Sequence, residues 1–351
     1  MIVGVPRETK AGERRVALLP DAARSLVAAG HEVRVAEGAG AGVGASDADY
    51  GNAGARVTSP AQAWDADLVV KVKEMQPADF EAAPPARAIF SFHHLPGEPH
   101  RTRELARRGD TALAFEMLRD ETGEFPMLAP MSVIAGRLAV EQALQAGIGV
   151  ARVLVLGAGH AGLAAARAAM AHGASVVVLT RSETSRDAAR AQGFEADLAT
   201  PACIEREALE ADLLVGAVFV PATPTPKLVP RALVRRMKRG AMIVDVSIDA
   251  GGVAETSRAT KLADPTYVEE GVVHACVPNL PASVPAEAAA AISAAALPWV
   301  RRMADAGVAQ ALRASPELRG CALLWKGAVL HPGIAAEAGI AYTPTHPDLA
   351  P

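Results

Sequence analysis

Cysteine is scarce in this chain, charge is modest, and long apolar runs are missing. Only three of the 351 residues are cysteine, and they cannot all pair with one another. Cys203, Cys276 and Cys321 stand far apart and form no CxxC pair, so a reducing, cytoplasmic compartment is expected. No metal site is expected. Charged residues make up 21% of the chain with a net charge of −4. That balance offers no surface to a polyanion and sets nucleic acid aside as a partner. The N-terminal "MIVGVPRETK" has no long apolar stretch behind a basic start, and no later run reaches membrane-spanning length, so no membrane association is expected.

Half of the residues are hydrophobic, and they come in short runs that alternate with helix-like segments. That alternation is the pattern of parallel sheets covered by helices. Ile2 to Val5 reads as a first strand, "PDAARSLVAAG" as a helix stopped by Gly30, and "HEVRVAEG" as the next strand. "SPAQAWDADLVVKVKE" gives a capped helical turn and a strand ending in lysines. "ARAIFSFHH" is another strand, "EPHRTRELARRG" a polar surface helix, and "TALAFEM" a further strand. A first α/β domain over residues 1–127 follows. From "SVIAGRLAVEQALQAG" a long helix leads into a second α/β domain, 128–285, with further strands at "ADLLVGAV", "GAMIVDVSI" and "GVVHACV". Residues 286–351 begin with the Ala-rich helix "PAEAAAAISAAALPWVRRMADAGV", which is expected to return to the first domain.

The strand "RVLVLGAG" feeds Gly157, Gly159 and Gly162, opens the helix "LAAARAAMAHG" and leads to a second strand, "ASVVVL". This is the full strand, helix, strand context of a dinucleotide site. Gly157 makes the tight turn, Gly159 lets backbone approach a pyrophosphate, and Gly162 lets helix and strand pack closely. The helix N-terminus then faces the phosphates with unpaired N–H groups.

Ligands of open parallel sheets lie at the carboxyl ends of strands, and several polar residues stand there. Lys71 and Lys73 close "DLVVKVK" and, at period two, are expected on one face. His93 and His94 close "AIFSFHH", Asp249 follows "MIVDVSI", and Arg15 lies in the connection after the first strand. Together they could hold a carboxylate, polarise a carbonyl or iminium and move a proton. Each also reads as a solvated strand end or a salt bridge.

Six segments carry a family resemblance. In order, "GVPRETKAGERRVALLPDAARSLVAAGHEVRVAEGAG", "ADLVVKVKE", "LAPMSVIAGRLA", "VGAVFVPATPTPKLV", "MIVDVSIDAGG" and "PNLPASVP" resemble the signature segments of the alanine dehydrogenase and transhydrogenase NAD-domain family, over nearly the whole chain. The resemblance implies an α/β protein of two domains. One is a Rossmann doubly wound parallel sheet; the other is a flavodoxin- or Rossmann-like substrate domain built from both chain ends. By motif, Arg15 corresponds to the substrate-carboxylate ligand, Lys73 to the lysine on the substrate carboxylate and carbonyl oxygen, and His94 to the catalytic acid/base. Asp249 corresponds to a second catalytic residue near the nicotinamide, and Asn279 to an asparagine lining the same pocket. The implied cofactor contacts are Ser132, Gly157, Gly159, His160, Ala161, Gly162, Thr180, Arg181, Ser182, Val218, Phe219, Val246, Asp249, Arg258, Asn279 and Leu280.

The implied reaction converts an amino acid to its 2-oxo acid and ammonia, and back, by hydride transfer with a nicotinamide cofactor. Three departures qualify it. Thr180, Arg181 and Ser182 stand where the family carries an acid for the adenosine ribose. Loss of that carboxylate and gain of a guanidinium favour NADP(H) over NAD(H). Val133 replaces the family's usual glutamate, and the glycine-rich hairpin before "RVLVLGAG" is missing. That second loss makes a dimer the first expectation for a homo-oligomer, with the family's hexamer as the alternative. Two other functions stay open: a soluble nucleotide-binding transhydrogenase component, and a ketimine- or opine-type reductase using an amine in place of ammonia.

Overall fold

The computed structural model describes residues 1–220 and 224–349. They form two compact units, one of Met1–Pro130 with the chain from Val284 onward, the other of Met131–Ser283. The first has a parallel sheet of β1 (Ile2–Val5), β2 (Glu32–Ala36), β3 (Arg56–Thr58), β4 (Leu68–Val70), β5 (Ala88–Ser91) and β6 (Thr111–Ala114). Their spatial order is β3-β2-β1-β4-β5-β6. All three residues of β4 are fully buried, as expected of a central parallel strand covered on both faces. The reversal of order between β1 and β4 sends the connections after these strands in opposite directions. A crevice is left at their carboxyl ends.

Two strands near the C-terminus, Ala322–Trp325 and Ala328–Val329, extend this sheet antiparallel beyond β6. They were not expected from the sequence. Their signal is a two-residue turn, Lys326 and Gly327, both at positive φ (+48° and +86°), which is the signature of a type I′ hairpin. Leu323 and Leu324 then join Trp64, Val69, Ile89 and Leu105 in one core, so the two ends of the chain share it.

The second unit contains β7 (Arg152–Leu156), β8 (Ser175–Thr180), β9 (Glu195–Leu198), β10 (Leu213–Gly216), β11 (Met242–Asp245), β12 (Thr266–Glu269) and β13 (Val272–Ala275). Their order is β9-β8-β7-β10-β11-β13-β12, parallel except for the edge strand β12. Alternation along the strands divides the core into two. Val153, Val155, Val178 and Val215 pack on one face with the helices Ala129–Gln145 and His160–Ala171. Leu154, Leu156, Leu179 and Leu214 pack on the other with the helix Pro201–Glu210. This is a doubly wound sheet, reversing between β7 and β10. β12 was also missed in the sequence, and its hairpin has the same origin: Glu270 and Gly271 sit at φ +54° and +82°.

Among the described residues no helix is long and apolar enough to cross a membrane, and no cluster of side chains could hold a metal ion.

Candidate active site

In the first unit, the carboxyl ends of β1, β4 and β5 bring Arg15, Lys73 and His94 into one neighbourhood. Arg15 is buried, and its guanidinium grips Glu13 with two hydrogen bonds, Nε to Oε1 at 2.7 Å and Nη2 to Oε2 at 2.6 Å. Glu13 is equally buried. Burial opposes its ionisation, but the bonds from Arg15 outweigh it and hold the carboxyl below the usual range. Lys73 is 8% exposed. Burial, then the neighbouring cations Arg15 and Lys10, pull its ammonium below the ordinary lysine range. Three cations converge here against the carboxylates of Glu13 and Glu74, a charge pattern that fits the carboxylate of a small substrate.

His94 projects its ring half-exposed from the turn after β5. Its backbone lies at φ +45°, uncommon for a residue with a Cβ. The Glu116 carboxylate supports that turn by accepting from two successive amides, His93 N at 3.1 Å and His94 N at 2.7 Å. The imidazole Nδ1 lies 3.3 Å from Glu74 Oε2, and the ring stacks beside Phe92 with centroids 5.8 Å apart.

Two of the strand-end residues are not part of this constellation. Lys71 and Lys73 do not share one facing role, because regular strand ends at Val70 and their ammonium groups serve different carboxylates. Lys71 is fully buried and paired with Asp79 (3.0 Å) and Glu8 (3.3 Å). His93 is also fully buried, with Nε2 3.1 Å from the Ile89 carbonyl, and burial pushes its pKa down.

The carboxylates were the residues overlooked. Glu8 accepts from Val72 N at 2.6 Å and Lys73 N at 3.3 Å, so it fixes the backbone that carries Lys73. Glu8, Glu13 and Glu74 each lie within two residues of a cation in the chain and look like solvated pairs there. Their burial is what distinguishes them.

In the second unit the glycines act through geometry. Gly157 has φ +110°, and a Cβ on it would lie 2.2 Å from the Ala217 carbonyl oxygen. A Cβ on Gly162 would lie 1.8 Å from the Gly157 oxygen. Gly159, the cap of the helix His160–Ala171, faces open space at the position a Cβ would take, beside the first helical turn with His160 and Ala161. Ser132 lies half-buried on the helix Ala129–Gln145, next to the exposed Val133.

At the end of β8, Thr180 is buried while Arg181 and Ser182 are exposed. Ser182 Oγ caps the helix Glu183–Ala191, accepting from Ser185 N at 3.2 Å. Arg181 makes no hydrogen bond or ion pair among the described residues.

Beyond β10 and β11 the loops are tied together. Val218 N donates to Ser247 Oγ at 2.8 Å, leaving the Phe219 side chain 64% exposed. The buried Asp245 accepts from Val253 N (2.7 Å) and Ser257 Oγ (2.6 Å), and from Ser247 N and Ala254 N. It thereby shapes the 3-10 turn Val246–Ala250, on which Asp249 is exposed. Asn279 N donates to Asp249 Oδ2 at 3.3 Å, so these two residues stand together, with Leu280 buried behind. Arg258 lies 3.8 Å over the Tyr267 ring, which pins its guanidinium. Residues 221–223 of "VGAVFVPATPTPKLV" lie outside the described residues.

Comparison with known proteins bears on both units. Residues 4–135 match the alanine dehydrogenase/PNT N-terminal domain, and 135–332 the alanine dehydrogenase/PNT C-terminal domain. An alanine dehydrogenase of Halomonas elongata is 40% identical over 97% of this chain and 98% of its own length. A solved L-alanine dehydrogenase structure superposes with a TM-score of 0.91 at 37% identity, covering 96% of this chain and 99% of that one. A transhydrogenase from Sinorhizobium meliloti follows with a TM-score of 0.83 at 25% identity, covering 95% and 99%. With both domain models matched across nearly its full length, the chain belongs to the alanine dehydrogenase and pyridine nucleotide transhydrogenase family.

Proposed function

We propose that this protein interconverts alanine, or a closely related small amino acid, and its 2-oxo acid plus ammonia, with NADP(H) as the preferred cofactor. The chain is an amino-acid dehydrogenase acting on a CH–NH2 donor. The observation that carries the substrate class is the buried cation group: Arg15 and Lys73 together suit one carboxylate, held so that the Cα is oriented for reaction. A transhydrogenase component with no organic substrate has no need of that group.

The glycine turn fits a dinucleotide, because Gly159 faces open space at the helix N-terminus while Gly157 and Gly162 admit no Cβ. Bound there, the nicotinamide nucleotide supplies the hydride acceptor or donor. Arg15 and Lys73 hold the substrate carboxylate. In oxidative deamination His94 takes a proton from the water that attacks the substrate iminium; ammonia then leaves and the 2-oxo acid remains. Asp249 and Asn279 line the nicotinamide side. NADP(H) is favoured because Arg181 is exposed without a partner among the described residues, beside Thr180 and Ser182, and no acid stands at the end of β8. Residues 146–151 alone join the helix Ala129–Gln145 to β7, and a cytoplasmic homo-oligomer, a dimer first, completes the proposal.

Purified protein incubated with NADPH or NADH, ammonia and a panel of 2-oxo acids tests this. Consumption of NADPH with pyruvate or a near relative is expected. No consumption with any acid rejects the dehydrogenase proposal for this substrate class, and faster reaction with a primary amine than with ammonia points to the ketimine- or opine-type reaction instead. Light scattering reads the subunit number.

A further inference from the structure

We infer that Glu74 is a positioning residue that holds His94 in the tautomer with the proton on Nδ1, so that Nε2 carries the lone pair used in proton transfer. The inference rests on the reading of His94 as the acid/base. Glu74 follows Lys73 directly, so one loop after β4 carries both a substrate cation and this carboxylate. Its side chain is 6% exposed. Oε2 lies 3.3 Å from His94 Nδ1, while Oε1 accepts from Lys10 Nζ at 2.5 Å and from Gln76 Nε2 at 3.4 Å. The Glu74 carbonyl also accepts from Gln76 Nε2 at 3.0 Å and Lys71 Nζ at 3.4 Å, which anchors the backbone behind the carboxylate.

Burial disfavours the Glu74 anion, but the bonds from His94 and Lys10 outweigh it and keep the group ionised far below the usual carboxylate range. An ionised carboxylate can only accept. The hydrogen facing it therefore sits on Nδ1, and the neutral ring presents its Nε2 lone pair on the opposite side. Glu116 fixes the direction in which the side chain leaves the turn; Glu74 fixes the rotation of the ring, and Phe92 limits its tilt. Without Glu74 a neutral imidazole in water favours the proton on Nε2, the wrong form for a base acting through that atom.

The test has two arms. Histidine-labelled protein is studied by two-bond 1H–15N correlation, with His94 assigned by its loss in His94→Asn. The neutral ring is expected as the Nδ1–H tautomer in the wild type and in Glu74→Gln, whose amide oxygen still accepts, and as a mixture or Nε2–H in Glu74→Leu. In the second arm Glu74→Leu lowers kcat about 100-fold, with KM for the 2-oxo acid and for NADPH within about twofold of wild type. Added to His94→Asn, the same change costs little further in kcat, because the ring whose tautomer it sets is gone. A wild-type Nε2–H tautomer, or losses that multiply in the double variant, overturns the proposal. Should Glu74→Leu not fold, the wild-type and Glu74→Gln spectra decide it. If the wild type turns over no 2-oxo acid, the functional reading fails, and the tautomer still answers for the pair.

Discussion

The first sheet runs β3-β2-β1-β4-β5-β6 and the second β9-β8-β7-β10-β11-β13, so both reverse between their first and fourth strands. One edge of each sheet is finished by a two-residue hairpin with positive φ at both turn positions. At the reversal the two differ. The first carries buried ions: Arg15 on Glu13, Lys73 beside them, Glu74 on His94. The second carries three glycines at a helix N-terminus. A small anionic substrate has few atoms to grip, so charged side chains must supply both affinity and orientation. A pyrophosphate is long and doubly charged, and aligned backbone amides serve it provided no Cβ intervenes. On the proposed function, one topology hosts two kinds of recognition, and what changes is whether side chains or backbone fill the crevice.

The strongest way to break this division is at the first sheet. His94→Asn is expected to lower kcat about 10²- to 10⁴-fold while NADPH affinity, measured by fluorescence titration, stays unchanged. A matching loss of NADPH affinity would show that the chemistry is not confined to side chains of the first sheet. Next, Arg15→Met leaves Glu13 buried and unpaired, with an expected cost of about 3–5 kcal/mol in denaturant unfolding besides lost turnover. An unfolding midpoint equal to wild type would mean that Glu13 finds another partner.

At the second sheet, Gly162→Ala forces a Cβ against the Gly157 carbonyl and is expected to cost about 1–3 kcal/mol or more in stability, together with nucleotide binding. An effect on the 2-oxo-acid KM alone would contradict a backbone-built site. Arg181→Asp sharpens the comparison, since it tests the side-chain charge assigned to the 2′-phosphate. A loss of about 1.5–3 kcal/mol in NADPH binding with little change for NADH is expected. Unchanged selectivity rejects the 2′-phosphate role. The smallest effect is in pH. Lys73 titrates below the ordinary lysine range, so its charge is present at low pH and lost as pH rises through that lowered value. KM for the 2-oxo acid should therefore climb on the alkaline side earlier than an ordinary lysine predicts. Lys73→Arg, which stays charged, should flatten the rise.

Much of the fold was legible. The strand runs at β1, β4, β5, β7, β8, β10, β11 and β13 and the glycine spacing could be read because apolar periodicity and backbone conformation are local properties. The edge hairpins were not, because Lys326-Gly327 and Glu270-Gly271 are ordinary dipeptides until their φ angles are known. The period-two argument for Lys71 and Lys73 failed for a related reason: it assumed a strand that stops at Val70.

By itself the sequence determined the α/β class and the glycine turn, and it nominated Arg15, Lys73, His94 and Asp249 for the proposed chemistry, since these depend on residue type, spacing and motif. Only the tertiary structure decided which carboxylates matter. Glu8, Glu13 and Glu74, with the part-buried Glu116, become structural when burial removes water that would otherwise screen them, and a desolvated anion must find donors. Glu13 finds its donor locally in the Arg15 guanidinium, while the backbone amides on Glu8 and Glu116 and the imidazole on Glu74 come from residues after different strands. No spacing along the chain could have announced the long-range ones.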